Sequence, residues 1–415
     1  MPTWTIRTPN PTATTATATP ATPTPTTQTR SALARCVEPT GETEFLAEHW
    51  ERRPLAIERN DPGRYDDLLS EEDVERLVCS GGLRYPGFRL VKAGEQLPSR
   101  SYTTDIPWRP TSFTGSADVE RVLEEWKRGA TIVLQGLHLT HPEVAAFCRS
   151  LEAALGHPAQ ANAYYTPRAA QGLPVHHDTH DVFVLQIAGS KRWLVYEPAW
   201  ELPLKNQRYT SALGAPGEAV HDLVLGPGDM LYLPRGWLHE ALTSDSDSLH
   251  LTVGVSVVTW LDAFRSALEE CGDELAFRRS PGGESADELL ELFRGRLTPE
   301  AVERRAREKL LRTRRPIRDG QLSQLRALDR LDTDTELERR PTVIASATER
   351  DGHIVIAFEG KEVVIPASAA EEAQGALELD EPFSAGALPG TLDEESRLVL
   401  VRRLVREGLL RISEA

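Results

Sequence analysis

Long apolar runs are absent from this sequence of 415 residues. A helix that spans a bilayer needs about 20 consecutive apolar residues, and no run of even about 18 occurs. The first residues also lack the apolar segment of a secretory signal peptide. The sequence therefore predicts neither a membrane span nor a secretory leader.

Cysteine is scarce, with four residues in the whole chain, at positions 36, 79, 148 and 271. None of them forms a C-x-x-C pair, which argues against a zinc site built from thiolates. They are also too scattered to indicate a disulfide framework. We therefore expect the protein to function in a reducing cytoplasm.

The sequence also has no excess of basic residues. It contains 47 Lys and Arg and 63 Asp and Glu, which gives a formal net charge of -16. Binding to nucleic acid depends on clustered Lys and Arg, so this balance argues against a nucleic-acid partner. It favours a basic protein or peptide, which an acidic surface attracts.

The chain divides into four parts by composition. Residues 1–32 are rich in Thr, Pro and Ala without any Asp or Glu, and such a segment is predicted to be a disordered tail. Residues 33–259 begin with helical patterns and become β-rich from about 160. Residues 260–337 are charged and helical, and residues 338–415 combine short strands with a closing amphipathic helix.

Periodicity and turn residues predict individual elements within these parts. Helices are predicted at 43–50, 71–78, 118–128, 141–155 and 393–406. Strands are predicted at 131–135, 181–187, 192–196, 230–233, 250–258, 343–347, 353–358 and 362–365. The closely spaced strands between 160 and 258 favour a barrel or a double-sheet jelly roll.

Two motifs in the β-rich region carry the chemistry. His176 and Asp178 are two residues apart, so on a strand both side chains would project from one face. Downstream, a Pro227-Gly228-Asp229 turn leads into a strand that delivers His239. Two histidines and one carboxylate form the facial triad of non-haem Fe(II) oxygenases. A polar loop beside a strand is the alternative interpretation of His176 and Asp178 alone.

The sequence around these motifs resembles the JmjC-type ribosomal oxygenases, which are cupin-fold protein hydroxylases. The resemblance rests on residues 45–55, 162–167, 171–193 and 248–253. It implies an α+β fold with a double-stranded β-helix core, which is the jelly-roll or cupin architecture of JmjC domains, and flanking helices. It also implies that 33–259 is the catalytic domain, that 260–337 is a helical region forming a homodimer, and that 338–415 is a winged-helix-like domain.

The same resemblance assigns roles to further residues. Fe(II) would be held by His176, Asp178 and His239, with 2-oxoglutarate as co-substrate. Lys191 would pair with the far carboxylate of 2-oxoglutarate, although a solvated lysine is the alternative and Arg192 competes for the role. Tyr164 would help to hold that carboxylate, or else is an ordinary core tyrosine. Asn162 would lie in the pocket near the metal, or else serve turn geometry.

Three other histidines lie close to these motifs. The alternation of a strand points His177 away from the site, while His180 would face it from the same side as His176. His250 corresponds to a position on the barrel wall in the family, where it would pack behind the site.

The function implied is hydroxylation of a ribosomal protein side chain, of histidine or arginine. Three alternatives remain open. The same scaffold could hydroxylate a peptide natural product or a small molecule, it could demethylate lysine, or it could be a cupin that binds metal as a sensor without catalysis. The complete triad and Lys191 argue against the last of these.

Overall fold

The structure is a computed structural model that describes residues 31–413, except 60, 81, 169, 171–172, 283–284, 342 and 380. The predicted disordered tail therefore lies outside the described residues, apart from its last two. Those two are ordered, which corrects the boundary. Ser31 caps helix α1 (Ala32–Val37), and its hydroxyl accepts a hydrogen bond of 3.0 Å from the backbone N–H of Ala34.

The described residues before position 156 contain the first group of α-helices. They are α1, α2 (Glu42–Glu48), α3 (Glu71–Cys79), α4 (Val119–Lys127), α5 (Leu137–Thr140) and α6 (Pro142–Leu155). Ser70 and Asp73 form the predicted capping box of α3, in which each side chain bonds the backbone N–H of the other. No helix among the described residues is both long and apolar enough to cross a membrane.

The strands of the first 255 residues form one large sheet and one separate hairpin. They are β1 (Leu55–Ile57), β2 (Phe88–Lys92), β3 (Glu95–Gln96), β4 (Thr103–Trp108), β5 (Thr111–Ala117), β6 (Thr131–Leu134), β7 (Ala159–Thr166), β8 (Asp181–Tyr196), β9 (His221–Leu225), β10 (Met230–Leu233) and β11 (Leu238–Val255). The sheet order is β1-β10-β8-β11-β7-β6-β2-β3, β9 pairs with β8, and β4 with β5 forms the hairpin.

Two long strands, β8 and β11, connect the two halves of the sheet. The first part of β8 pairs with β10, and its second part pairs with β9. Likewise β11 pairs with β8 along its whole length, but with β7 only in its second part. Side chains from both halves of the sheet line one cavity. The sheet therefore closes on itself as a jelly roll. The predicted α+β fold with a jelly-roll core is therefore confirmed.

A bend in β8 explains why the sequence indicated two strands where there is one. Gly189 has φ +61°, and a Cβ there would meet the carbonyl oxygen of Asp247 at 1.7 Å, so only glycine fits. The pairing with β11 shifts at Leu249/His250, which leaves Ile187 without a partner in the register. Such a bulge reverses the alternation, so Val184 before it and Lys191 after it face the same cavity.

The core behind the sheet is built from aromatic and aliphatic side chains. Phe45 of α2 contacts Tyr232 of β10 with ring centroids 4.8 Å apart, and Phe183 of β8 with centroids 5.7 Å apart. All three are fully buried. Aromatic pairs at such distances contribute beyond their buried area. They anchor the N-terminal helices on the strands that carry the site.

The rest of the chain is helical and then mixed. Its elements are α7 (Trp260–Glu270), α8 (Ala286–Arg294), α9 (Pro299–Thr313), α10 (Gln321–Ala327), β12 (Glu336–Arg339), β13 (Ala345–Arg350), β14 (His353–Phe358), β15 (Lys361–Pro366), α11 (Ala370–Glu378), β16 (Phe383–Ser384), α12 (Glu394–Glu407) and β17 (Leu410–Ile412). Strands β13, β14 and β15 form one antiparallel sheet, and β16, β12 and β17 another. Residues 327–412 enclose a hydrophobic core of their own.

A buried ion-pair cluster ties this last region to the first. Glu152 of α6 lies 2.8 Å from Nη1 of Arg149 and 2.9 Å from Nε of Arg314, and all three side chains are buried. The guanidinium of Arg149 also donates to the carbonyl of Arg315. Separating the members of such a cluster would leave a buried charge uncompensated, which is costly. The cluster therefore holds the segment after α9 firmly against α6.

Candidate metal centre and its cavity

The two histidines of the motif are brought together by backbone pairing. The N–H of His176 donates to the carbonyl of His239 at 3.1 Å, and the N–H of His239 donates back at 2.8 Å. This antiparallel bridge joins the segment before β8 to the beginning of β11. As a result the two imidazole centroids lie 4.4 Å apart, although 63 residues separate them in sequence.

Asp178 completes the cluster. One donor atom from each of His176, Asp178 and His239 lies within 4.8 Å of the other two, and Asp178 Oδ2 is 3.8 Å from His239 Nε2. The backbone carbonyl of Asp178 accepts a hydrogen bond from the N–H of Gly236 at 3.0 Å, which holds the loop against the turn before β11. The structure therefore brings together the three residues that the spacing singled out.

The hydrogen bonds of the two imidazoles determine which ring nitrogen is available to bind a metal ion. His176 Nδ1 lies 2.7 Å from the carbonyl of Pro174, and His239 Nδ1 lies 3.0 Å from the carbonyl of Trp237. A carbonyl can only accept, so each Nδ1 carries the proton and each Nε2 keeps a free lone pair. That tautomer is the one a divalent cation requires.

The charges of the cluster suit a cation. Burial, together with neighbouring His176, lowers the pKa of His239 to about 4, so this imidazole is neutral at pH 7. Burial alone would raise the pKa of Asp178, but the surrounding histidines, His180 first, hold it below its usual value. The neutral imidazole of His239, the imidazole of His176 and one carboxylate therefore face one point.

Lys191 lies inside the same cavity, among apolar and hydroxyl side chains from both halves of the sheet. Only 3% of its surface is exposed. Its Nζ donates to Thr166 Oγ1 at 3.2 Å, and Thr131 Oγ1 donates to the same oxygen at 3.1 Å. Arg192, the competing residue, lies at the surface in an ion pair with Asp222.

Lys191 has no carboxylate partner within the described residues, although it is buried. Burial therefore lowers its pKa to about 7. A buried ammonium without a counter-ion is costly, since neither water nor an anion compensates its charge. An anionic ligand in the cavity would supply the missing partner.

Tyr164 also lines the cavity, stacked on His250 with centroids 4.9 Å apart and rings almost parallel. Trp193 meets the His250 ring edge-on at 5.6 Å. Burial raises the pKa of Tyr164, the charge of Asp178 adds to this, and the charge of Arg89 opposes it. The Tyr164 hydroxyl therefore experiences both the carboxylate of the triad and the guanidinium of Arg89.

The other residues singled out from the sequence lie beside the cavity or point away from it. Asn162 shares a face of β7 with Tyr164 and is opposite Thr252, which lines the cavity, and its amide oxygen accepts a hydrogen bond from the N–H of Gly136 at 2.9 Å. His177 points away as expected, and its Nε2 bonds the carbonyl of Gln207 at 3.0 Å. The ring of His180 lies against the backbone of Gly254, where a Cβ would approach it to 2.3 Å.

Three residues on or next to the cavity wall were not found from the sequence: Thr131, which lines the cavity, Thr166, which bonds Lys191, and Arg89, which is opposite the lining residue Val133. The threonines sit in ordinary β-rich runs, where Thr is common for reasons of packing. Arg89 lies in a strand that the sequence analysis did not predict. Only the pairing of β2, β6 and β7 shows that these side chains approach Lys191 and Tyr164.

Comparison with known proteins places these residues in a family. Residues 138–263, which include the whole triad and Lys191, match the JmjC domain. The chain is 34% identical over 221 residues to ribosomal oxygenase 1 of Gallus gallus, covering 52% of this chain and 35% of the relative. It is 31% identical over 225 residues to the bifunctional lysine-specific demethylase and histidyl-hydroxylase NO66 of Drosophila persimilis, covering 54% and 31%. The chain thus spans about a third of the length of these relatives.

Solved structures agree over most of the chain. The Escherichia coli ribosomal oxygenase YcfD superposes with a TM-score of 0.53 at 18% identity, covering 90% of this chain and 98% of that one. Its complex with cobalt and 2-oxoglutarate gives a TM-score of 0.54 at 18% identity, covering 89% and 98%. At this identity the likeness shows the fold. Residues 138–263 therefore match a JmjC domain, and the chain is similar to ribosomal oxygenases in sequence and to YcfD in fold.

Proposed function

We propose that the protein is an Fe(II)- and 2-oxoglutarate-dependent oxygenase that hydroxylates a protein side chain. The observation that carries this proposal is the pairing, in one cavity, of the His176, Asp178 and His239 cluster with the buried, uncompensated Lys191. When bound together, Fe(II), 2-oxoglutarate and O2 supply hydroxylation of an unactivated carbon, with release of succinate and CO2.

The residues present fit both groups. The free Nε2 atoms of His176 and His239 and the carboxylate of Asp178 are the donor set of the 2-His-1-carboxylate sites that hold Fe(II). Lys191, braced by Thr166, would hold the far carboxylate of 2-oxoglutarate as a charge-assisted partner. We propose Tyr164 as a second contact of the co-substrate and Asn162, on the same face of β7, as a pocket residue near the metal.

Aliphatic side chains around the cavity keep water away from the reacting groups. Val91, Val133, Leu173, Val182 and Val184 contribute to its lining. In such an environment each charged contact is stronger than in water. The protein's own contribution is therefore orientation of the ligands and exclusion of solvent.

The proposed substrate is a basic protein, with a ribosomal protein as the first candidate and histidine or arginine as its target residue. Support comes from the names of the relatives and from the formal charge of -16, which attracts a basic partner. We propose a cytoplasmic location, with which the four free cysteines agree. We also propose that residues 338–415, as a winged-helix-like appendage, dock a protein and not a nucleic acid.

A panel of ribosomal proteins and basic peptides tests this function. We expect a mass increase of 16 Da on one of them under Fe(II), 2-oxoglutarate and O2, together with stimulated succinate formation. Added salt should lower kcat/KM more than kcat, because exposed charges are screened beyond about 10 Å at 0.1 M salt. The measurement is mass spectrometry of the products beside a succinate assay at several salt concentrations.

Each alternative gives a different result in that assay. Loss of 14 Da from a methylated lysine peptide would indicate a demethylase. A gain of 16 Da confined to a small molecule or cyclic peptide would overturn the ribosomal substrate and leave the oxygenase chemistry standing. Absence of succinate, with and without substrate, would indicate a metal-binding sensor.

We propose further that the helical region 260–337 forms a homodimer. Helix α7 presents Trp260, Phe264 and Leu268 at intervals of four residues, which places them on one face, and Trp260 and Leu268 are 68% and 54% exposed. Contiguous apolar surface of this kind marks interaction sites. A second copy would cover it.

Light scattering at micromolar concentration should therefore give the mass of a dimer, and Leu268→Glu should shift it to a monomer, because a charge would be buried in the interface. Leu322→Glu is the matched control, since Leu322 of α10 is 74% exposed and lies outside this face. A monomeric wild-type protein would contradict the proposal.

A further inference from the structure

A row of side chains crosses four strands on the inner face of the sheet. Arg89 of β2 is opposite Val133 of β6, Val133 is opposite Tyr164 of β7, and Tyr164 is opposite His250 of β11. Residues directly opposite on neighbouring strands point to the same face. Val133, Tyr164 and His250 line the cavity, so Arg89 occupies the outer end of a row that leads into it.

Arg89 is half-buried, but its charge is not compensated. Its positive charge opposes the rise in the pKa of the Tyr164 hydroxyl, and the Tyr164 ring is fixed by its stack on His250. Its Nε is buried without a hydrogen-bond partner. Among the described residues no carboxylate lies within ion-pair distance of it. By contrast, half-buried Arg64 has both Glu38 and Asp61 as partners.

Arg89 and Lys191 lie at different positions along the sheet. Arg89 belongs to the row that contains Tyr164, whereas Lys191 bonds Thr166, two residues further along β7. Tyr164 lines the same cavity as His176, Asp178 and His239. A side chain that enters this cavity would therefore come near the cation of Arg89.

We propose that Arg89 is a specificity-determining residue, which admits an uncharged target side chain that can accept a hydrogen bond and repels a cationic one such as arginine or methylated lysine. This inference rests on the proposed function, because it concerns the target of that same site. The physical basis is twofold. Like charges repel strongly where solvent is excluded, and the guanidinium offers donors that an uncharged acceptor satisfies.

A basic protein remains compatible with this selectivity. The attraction between the acidic chain and a basic partner acts over the whole surface, while Arg89 acts on the one side chain that enters the cavity. Selection against the wrong substrate by repulsion at a single position is a general way to gain specificity. The target residue would therefore be an uncharged one within a basic sequence.

The test uses the full chain and peptides that differ at one central residue, namely histidine, arginine or trimethyllysine, in the same basic flanks. Binding is measured by fluorescence anisotropy, and hydroxylation by mass spectrometry under Fe(II), 2-oxoglutarate and O2. For the wild type we expect the histidine peptide to exceed the arginine peptide by about tenfold or more in affinity and in kcat/KM. A preference for the arginine or trimethyllysine peptide would overturn the inference.

Two variants and a matched control identify Arg89 as the cause. Arg89→Gln keeps a donor but removes the charge and should bring the ratio close to one, and Arg89→Glu should reverse it. Lys92→Gln removes one positive charge from the opposite face of β2 and should keep the wild-type ratio. An unchanged ratio in both Arg89 variants would refute the proposal.

Failure of the inference is distinguishable from failure of the proposed function. Succinate formation by the wild type without any peptide tests the oxygenase chemistry alone. The anisotropy ratio does not depend on turnover, so it decides the role of Arg89 even when no peptide is hydroxylated. Circular dichroism of each variant checks that β2 still folds.

Discussion

His239→Ala is expected to abolish turnover of 2-oxoglutarate. His239 supplies one of only three donors, and its bridge to His176 also aligns the second. Losing a ligand from a three-donor site removes the geometry on which the reaction depends. His176→Ala and Asp178→Ala should behave alike. The measurements are succinate formation and Fe(II) binding by calorimetry under anaerobic conditions.

Asp178→Asn separates charge from shape in the same site. The amide keeps the size of the side chain but removes the negative charge that partly neutralises the metal, so Fe(II) affinity should fall, by about 10- to 100-fold on the scale seen for metal-site variants. His221→Ala is the control, because His221 is an exposed histidine on β9 outside the cluster. Wild-type turnover in any of the triad variants would refute the metal assignment.

Lys191→Ala should raise the KM for 2-oxoglutarate by about tenfold or more, because the co-substrate's far carboxylate would lose its proposed charged partner in a buried cavity. Fe(II) affinity should change little, since Lys191 is not a ligand. Arg192→Ala is the matched control on the neighbouring residue, which lies at the surface paired with Asp222. A larger effect of Arg192→Ala would show that the assignment on β8 is wrong.

The pH profile provides a second measurement for Lys191. Burial lowers its pKa to about 7 in the free protein, so the ammonium loses its proton as the pH rises through 7. A carboxylate binds the charged form, and the KM for 2-oxoglutarate should therefore increase above pH 7. In Lys191→Arg the guanidinium stays charged, and this dependence should flatten. A wild-type KM that is constant from pH 6 to 9 would contradict the role.

The sequence predicted those structural features whose pattern lies within one short segment. The capping box at Ser70 and Asp73 depends on residues three apart, so it could be predicted without knowledge of the fold. The alternation around His176 and the turn before β10 were equally local. By contrast, the hairpin β4–β5 and strand β2 lacked a clear pattern and were not predicted.

Arg89 shows the limit of that reasoning. The role of Asn162 in the pocket rests on resemblance and stays a prediction, and its side chain lies on the cavity face of β7, opposite Thr252. Arg89 had no local signal, since a single arginine in a strand is usually a solvated surface residue. Its place opposite Val133 follows from pairing between strands that are far apart in sequence.

The sequence by itself singled out the candidate donor set, because it contains a histidine and an aspartate two residues apart and a histidine after a Pro-Gly-Asp turn, although His176 forms an isolated bridge and Asp178 lies in the loop before β8. It also determined the acidic surface. Only the tertiary structure decided which side chains share the cavity. The bulge at Ile187 turns Lys191 inward beside Val184, and the register across β2, β6 and β7 brings Arg89 to Tyr164. A change of one residue in register reverses the face of every side chain, and that register is set by long-range packing.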